Sequence, residues 1–279
     1  MIRTLRYVNS LGEEVSFGGD PEPGGAEWHF GETDIFNVSL EYESVGDSIT
    51  SFHSGVREFS LTAYMARGTV SERNRLVDVV AYDTRTMSKG RLYAGGSYME
   101  CWVTAVEVSR WHRDDSFAAY DLTVVTDDAV WVREKAVQLT QRTSEPTGGL
   151  NYPHDHPFNY LMPGTSNTSI TNSFMLPAKC DLSFAGPCVS PYVIIGGNRY
   201  QVNATAEKGQ LIVVRGRGAK DIVLKDTDGA ETSIFSKGVR EDGAHVFAEV
   251  PIGESLVSWP GTPAIEVRMY EERSTPWWT

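Results

Sequence analysis

Two short clusters of residues have the side-chain types of a metal site. In the first, His154 and His156 flank Asp155 in a stretch rich in proline and aromatic residues. Adjacent residues of an extended chain point to opposite sides, so only the two histidines could converge, and no third or fourth ligand is signalled nearby. We therefore expect this cluster to be a contact of a linker segment, without a bound metal ion.

The second cluster, Asp226-x-Asp228-Gly229, resembles the start of a calcium-binding loop. Such a loop carries a bidentate glutamate at its twelfth position, and counting from Asp226 gives Lys237 there. The same residues are typical of a tight turn between two strands. The sequence thus predicts a turn here, and neither cluster predicts a metal or any other cofactor.

Paired carboxylates do the chemistry of glycosidases, which hold two of them at a defined separation. The candidates are Glu241-Asp242 and Glu271-Glu272, which stand at turns or near the chain end without an aromatic-rich strand around them. The sequence contains no Gly-x-Ser-x-Gly elbow, P-loop or dinucleotide fingerprint. We predict no catalytic residues and no enzymatic activity.

Cys101, Cys180 and Cys188 are an odd number of cysteines in a chain with no evident export signal. The cytosol keeps thiols reduced, so we predict reduced and mostly buried cysteines. A disulfide between Cys180 and Cys188, which could meet across a turn, is the alternative. Synthesis in a bacterial cytoplasm is the corresponding expectation.

The charge balance argues against a protein that grips nucleic acid. Lysine and arginine number 25 against 37 aspartates and glutamates, a formal charge of −12, whereas affinity for phosphates comes from clustered basic residues. Arg215, Arg217 and Lys220 form one short basic patch around Gly216-x-Gly218, most simply a loop tip. DNA is expected at most as passing cargo. No apolar run approaches the roughly 18 residues of a membrane span, so membrane insertion is not predicted.

Alternation of apolar and polar residues predicts half-buried antiparallel strands in the first half of the chain. The apolar residues of the four predicted strands are Phe36, Val38, Leu40 and Tyr42; Phe59, Leu61, Ala63 and Met65; Met99, Cys101, Val103 and Ala105; and Tyr120, Leu122 and Val124. This pattern differs from a βαβ repeat, in which helices alternate with buried strands.

One segment departs from the alternation and predicts a single inserted helix over residues 70–88. Thr69-x-x-Glu72 has the spacing of a capping box, and Lys89-Gly90 is a suitable end. The apolar residues that recur at helical spacing are Leu76, Val77, Val80 and Ala81, and those that can face solvent are Glu72, Arg73, Arg75, Asp78 and Asp83.

A boundary between two domains is predicted at residues 143–163. Gly148-Gly149 there precedes an aromatic stretch interrupted by Pro153, Pro157 and Pro163. The predicted domains are residues 1–142 and 164–279. The second consists of short strand-like runs separated by turns, at 193–195, 199–202, 211–214, 222–224, 232–235, 246–250, 256–259 and 265–270. Such a succession is typical of a β-sandwich or jelly roll.

Several segments, in order along the chain, resemble the distal tail (Dit) protein family of siphophages. In the first half they are residues 7–17 with their Asn9-Ser10-x-Gly12 turn, the helix at 70–88, the segments 90–93 and 98–103, and the stretch 151–160. In the second half they are Gly186-Pro187-Cys188-x-x-Pro191, Ile195-Gly196-Gly197-x-x-Tyr200-Gln201-Val202-Asn203, Ser258-Trp259-x-Gly261 and Tyr270-Glu271-Glu272-Arg273-Ser274-x-Pro276-Trp277. Residues 18–34, rich in glycine, proline and acidic residues, are less regular than the family pattern.

The resemblance implies a fold and a structural role in a phage virion. It implies that residues 1–142 form a tail-tube-like β-sandwich or barrel with one inserted helix, which builds a homohexameric ring around a channel. Residues 143–163 would be a linker, and residues 164–279 a galectin-like or jelly-roll β-sandwich outside the ring. The ring would lie at the tail tip and join the tail-tube protein to tail-tip or tail-associated proteins. The outer domain would carry a receptor-binding protein, contact a host surface glycan or act as a spacer.

Two other functions remain as alternatives. A carbohydrate-binding adhesion protein would hold sugars through Trp259, Trp277 or Trp278, and a jelly-roll glycosidase would cleave them. We expect Trp277 and Trp278 to pack on their own sandwich, because tryptophan is costly to leave exposed.

Overall fold

The computed structural model describes residues 4–18, 27–38, 40–53, 55–67, 70–112, 114, 116–140 and 166–277. The fold is mainly β, as predicted, and this part of the chain contains one α-helix. The chain forms two compact units, Met1–Arg133 with Glu272–Thr279, and Glu134–Glu271. The predicted linker at 143–163 lies outside the described residues, so the domain limits 1–142 and 164–279 stay a prediction. No helix in the described ranges is long and apolar enough to cross a membrane.

The first unit is built from antiparallel strands and the helix. Its elements are β1 (Leu5–Val8), β2 (Glu14–Phe17), β3 (Glu27–Thr33), β4 (Glu41–Val45), β5 (Ser48–His53), β6 (Arg57–Arg67), α1 (Val70–Thr86), β7 (Gly90–Ala94), β8 (Ser97–Trp111), β9 (Ala118–Thr126) and the start of β10 (Trp131–Leu139). Strands pair in the orders β2-β1-β7-β8 and β3-β6-β9-β8. The long strand β8 takes part in both series, because its residues 97–101 pair with β7 and its residues 102–111 with β9.

Three of the four strands predicted in the first half are confirmed. The residues that alternate into a single hydrophobic core are Phe59, Leu61, Ala63 and Met65 of β6, Met99, Cys101 and Val103 of β8, and Tyr120, Leu122 and Val124 of β9. Leu61 and Leu122 lie directly opposite each other in neighbouring strands. A bulge between Val103 and Ala105 interrupts the alternation of β8, and Ala105 is accordingly only half-buried.

The predicted half-buried strand through residues 36–42 is wrong. Phe36 packs against the core, but Val38, Leu40 and Tyr42 are exposed. The strand begins only at Glu41, and among the described residues β4 pairs with β5 alone. Of the four residues predicted to share a face, only Tyr42 lies in a strand, so the alternation of residues 36–42 does not reflect a single half-buried strand.

The predicted helix is confirmed as Val70–Thr86, with a different end from the one predicted. Its buried apolar residues are Leu76, Val79 and Val80. The helix stops before Met87, whose φ of 54° lies in the left-handed region. Gly90 instead begins β7, where a Cβ would lie 2.3 Å from the Tyr7 hydroxyl oxygen. The glycine is thus required for close packing and not for ending the helix. Thr69 of the expected capping box lies outside the described residues.

The prediction that Asp83 faces solvent is also wrong, because this carboxylate is completely buried. The Tyr7 hydroxyl donates a hydrogen bond to Asp83 Oδ2 at 2.6 Å. The backbone N–H and the hydroxyl of Ser10 donate to Oδ1 at 2.9 and 2.6 Å. Burial, and then the hydrogen bond to this carboxylate, raise the pKa of Tyr7. Asp83 therefore fastens the β1–β2 hairpin to the last turns of α1.

The second unit is a β-sandwich, as predicted. Its elements are the remainder of β10, β11 (Ser166–Asn172), β12 (Lys179–Ala185), β13 (Cys188–Val189), β14 (Tyr192–Ile195), β15 (Asn198–Gln201), β16 (Thr205–Ala206), β17 (Leu211–Arg215), β18 (Asp221–Lys225), β19 (Glu231–Ser233), a 3-10 turn (Phe235–Lys237), β20 (Arg240–Glu241), β21 (Ala244–His245), β22 (Gly253–Trp259) and β23 (Ile265–Arg273). One series runs β19-β18-β17-β12-β23-β10 and the other β11-β22-β14-β15. Between them lies a second hydrophobic core.

The predicted turns and faces of this sandwich agree with the structure. Gly196 and Gly197 adopt φ values of 57° and 88° in the turn that joins β14 to β15. In β23 the residues Ile265, Val267 and Met269 are buried, as their alternation predicts. Residues 246–250 are an exception, because they contribute to the core without forming the strand predicted there.

Candidate interaction surfaces

The carboxylate pairs do not have the arrangement of a glycosidase. Glu241 ends the short strand β20 and Asp242 follows it in an exposed turn. Glu271 and Glu272 are consecutive residues of β23, so their side chains leave opposite faces of the strand. Each pair consists of neighbours in sequence. Neither pair places two carboxylates on opposite sides of a glycosidic bond, as a glycosidase requires.

The predicted turn at Asp226-x-Asp228-Gly229 is confirmed. Asp226 accepts a hydrogen bond from the N–H of Thr227 at 2.7 Å, and Asp228 accepts one from Ala230 at 2.9 Å. The bond from Thr227 lowers the pKa of Asp226. Across the described residues, no group of three or more His, Cys, Asp or Glu side chains could hold a metal ion. His154, Asp155 and His156 lie outside those residues.

The three cysteines are free thiols, and Cys101 and Cys180 are buried. Burial raises the pKa of each of these two to about 12, so both are protonated at neutral pH and poor nucleophiles. The half-buried Cys188 also has a raised pKa, again because of burial. These are the properties of packing residues.

The basic patch predicted at a loop tip is engaged within its own unit. Arg215 donates to both carboxylate oxygens of Glu231 at 2.6 and 2.8 Å. The guanidinium carbon of Arg217 lies 5.7 Å from the ring centre of Tyr270, and the ammonium of Lys220 lies 5.8 Å from that of Phe247. This arrangement anchors side chains and offers no row of cations for a phosphate backbone.

The tryptophans proposed as a sugar platform are not presented as one. Trp259 is only 2% exposed and belongs to the core of the second unit. Trp277 belongs to the first unit, where the guanidinium carbons of Arg133 and Arg273 lie 4.3 and 4.7 Å from its ring centre. Trp277 therefore packs, but against arginines of the first unit, and Trp278 lies outside the described residues.

A projecting hairpin, formed by β4 and β5 (residues 41–53), is the most exposed element of the first unit. Every residue of its two strands is exposed except Ser51, which is half-buried. Within the described part of the chain the hairpin pairs with no other strand. Gly46, with φ of 62°, makes the turn. Sequence reasoning missed this hairpin as a surface, although Gly46-Asp47 between two alternating runs is a hairpin signal.

The two faces of the projecting hairpin differ in chemistry. Tyr42 lies opposite Phe52, and Ser44 lies opposite Ile49, so these residues share one face. Tyr42, Ile49 and Phe52 are 63%, 55% and 64% exposed. On the other face, Glu41 pairs with His53 at 3.3 Å and Glu43 accepts from the Ser51 hydroxyl at 3.0 Å. The hairpin has the pattern of a half-buried strand pair whose apolar face is open.

The far end of β8 is a second apolar surface of the same unit. Val106 and Val108 lie opposite the buried residues Leu122 and Tyr120 of β9, so they point to the core face of the sheet. Val106 packs on the core, but Val108 and Trp111, farther along, are 43% and 39% exposed. The core face of the sheet thus extends beyond the layer that covers it. We call Val108 and Trp111 the β8 end.

Comparison with known proteins gives a match in fold. No protein-family model and no curated protein matches the sequence. A chain of the phage P2 baseplate in its activated conformation with Sr matches with a TM-score of 0.58 and 10% identity, over 99% of this chain and 100% of that one. A chain of the same baseplate with Ca matches with a TM-score of 0.57 and 10% identity, again over 99% of this chain and 100% of that one. The Dit protein of phage SPP1, described as a paradigm of the hub adsorption apparatus in phages that infect Gram-positive bacteria, matches with a TM-score of 0.50 and 8% identity, over 88% of this chain and 93% of that one. The chain therefore has the fold of phage distal tail and baseplate proteins over almost its whole length.

Proposed function

We propose that this protein is a structural component of a long, non-contractile phage or prophage tail, and that it forms a hexameric ring at the tail tip. The ring joins the tail tube to tail-tip or receptor-binding proteins, and DNA passes through its channel. The observation that carries the proposal is the match in fold to a phage baseplate chain over 99% of this chain and 100% of that one. A partial match would support a shared module, whereas this one extends over both units.

The proposed role is non-enzymatic. The described carboxylate pairs do not face each other, and the buried thiols are protonated at neutral pH because their pKa values are about 12. The net charge of −12 suits a protein that DNA passes without binding. Turnover of a cell-wall polysaccharide by the purified protein would contradict this role.

The division of labour follows the domain limits predicted from the sequence. Residues 1–142 form the ring, residues 143–163 link, and residues 164–279 bind a neighbouring tail-tip protein or a host glycan outside it. Limited proteolysis tests the limits, because segments that link domains are preferred sites of proteolytic cleavage. The first cut is expected within 143–150, and a first cut within α1 would contradict it.

The oligomeric state is the direct test of the proposed ring. Native mass spectrometry of the full chain at micromolar concentration, or of the protein released from purified tails, should give six times the chain mass of 30.9 kDa. Protein that is strictly monomeric within tails would contradict the proposal. A monomer in dilute solution is still compatible with it, because assembly depends on concentration.

A further inference from the structure

We infer that the projecting hairpin of one copy packs its apolar face on the β8 end of a second copy of this chain. The inference rests on the proposed ring and specifies the contact that closes it. It joins Tyr42, Ile49 and Phe52 on one subunit to Val108 and Trp111 on the next.

The hairpin needs a cover that its own subunit does not supply. A two-stranded hairpin is marginally stable in water unless it packs against something, and among the described residues β4 and β5 pair only with each other. Its apolar face exposes two aromatic rings and an isoleucine, each more than half accessible. An open apolar face of this kind marks an interaction site. The six residues of β5 extend about 20 Å.

The β8 end also carries apolar side chains that its own subunit leaves partly exposed. Its valine and tryptophan lie on the core face of the sheet, past the point where Val106 is still covered. Among the described residues, 102–111 of β8 pair only with β9, so this end is also a long strand edge, which proteins normally protect. An apolar layer laid over the β8 end would continue the core of the second copy.

The hairpin is acidic, and the β8 end has basic residues beside it. The hairpin carries Glu41, Glu43 and Asp47 and no lysine or arginine between residues 41 and 53. A chain with net charge −12 repels such a segment on average. Arg110 and His112 flank Trp111, and both are exposed. Glu107 and Asp121 lie opposite each other on the other face of the sheet, whereas the exposed Asp114 interacts with His112 and offsets part of this positive charge.

A second copy fits better than an unrelated partner because each chain carries both surfaces. The hairpin and the β8 end are different surfaces of one unit, so their contact is head to tail. Head-to-tail contacts leave one free copy of each surface at the ends of every open oligomer, and they close into rings when the rotation allows. The two surfaces therefore provide what a ring subunit requires.

A cysteine pair tests the contact in the full chain. In a Cys188→Ser background, Phe52→Cys and Val108→Cys are combined in the same chain, since a disulfide forms only where the Cα atoms approach within about 7 Å. Mild oxidation of the assembled protein should give a ladder of covalent oligomers up to six chains on a non-reducing gel. Ser51→Cys with Val108→Cys is the matched control, because Ser51 is on the same strand and the opposite face, and it should give little cross-linking.

Two serine variants give a reading that needs no cross-link. Phe52→Ser and Val108→Ser should each raise the dissociation constant of the ring at least tenfold. Leu11 is an exposed apolar residue of the β1–β2 turn, and Leu11→Ser should leave this constant unchanged. If the wild-type protein forms a ring, but the cysteine pair does not cross-link and the two serine variants form rings as stable as the wild type, the contact is overturned. The proposed function would still stand in that case. Loss of tail-tube or tip-protein binding from an intact ring would likewise overturn the contact, because the hairpin would then cover another protein. Wild-type protein that is monomeric within tails overturns the proposed function itself.

Discussion

Helix α1 and the projecting hairpin are both amphipathic elements of the first unit. They depart from the usual burial pattern in opposite directions, because the helix buries a charged side chain and the hairpin exposes apolar ones. The helix buries a charged residue, Asp83, because the β1–β2 hairpin brings three hydrogen-bond donors to its carboxylate. The hairpin exposes Tyr42 and Phe52, because little of the described part of the chain packs against the face that carries them. Periodicity thus shows which residues share a face, whereas burial depends on what the remainder of the chain, or another chain, places against that face.

The largest contrast between the two regions should be in thiol reactivity. Cys101 is buried in the core below α1, and burial raises its pKa to about 12, so very little of this thiol is ionised at pH 8. A cysteine introduced by Phe52→Cys would be exposed and ionise near the ordinary thiol pKa of about 8.5. In a Cys188→Ser background, iodoacetamide at pH 8 should therefore label position 52 far faster than Cys101, as followed by the masses of the peptides that contain each thiol. Comparable rates in the dispersed chain would show that the hairpin is covered within its own subunit.

Removal of the buried carboxylate should affect folding more than any change in the hairpin. Asp83→Ala leaves the Tyr7 hydroxyl and the Ser10 N–H without their acceptor, and we expect a loss of about 2–4 kcal/mol in the free energy of unfolding. Asp78→Ala, an exposed aspartate of the same helix, should change it by less than about 0.5 kcal/mol. Urea unfolding measures both. Equal effects would remove the distinction between the two aspartates.

The smallest effect on folding is expected where the effect on assembly is largest. Phe52→Ser removes an aromatic ring that is 64% exposed in the subunit, so the free energy of unfolding of the dispersed chain should change by less than about 0.5 kcal/mol. Chemical denaturation at a concentration too low for assembly gives this value. A loss of several kcal/mol would mean that Phe52 supports the fold of its own subunit.

Much of the fold could be predicted from the sequence because its signals are local. Alternation predicts the strand that contains residues 59, 61, 63 and 65. Helical spacing predicts the helix after residue 69, and turn chemistry predicts the Gly196-Gly197 turn. Asp83 was misplaced because its partners, Tyr7 and Ser10, are more than 70 residues away in sequence. Helical spacing alone cannot show that such partners arrive.

The interaction surfaces were harder to predict for a related reason. Residues 36–42 have the alternation of a half-buried strand, but only Tyr42 of its apolar residues lies in β4, and the subunit leaves the apolar face of β4 and β5 exposed. Trp259 and Trp277 were candidates for a sugar platform by type, and their packing depends on the core of one unit and on the arginines of the other. A sequence pattern names the side chains, and only the fold shows which are left over for a partner.

An electron-microscopy map of the distal end of purified tails tests the proposed ring most directly. We expect six copies of this chain in one ring around the channel, with residues 41–53 of each copy lying on Val108 and Trp111 of the next. A tail end in which this chain is absent, or present without six-fold arrangement around the channel, would contradict the proposed ring.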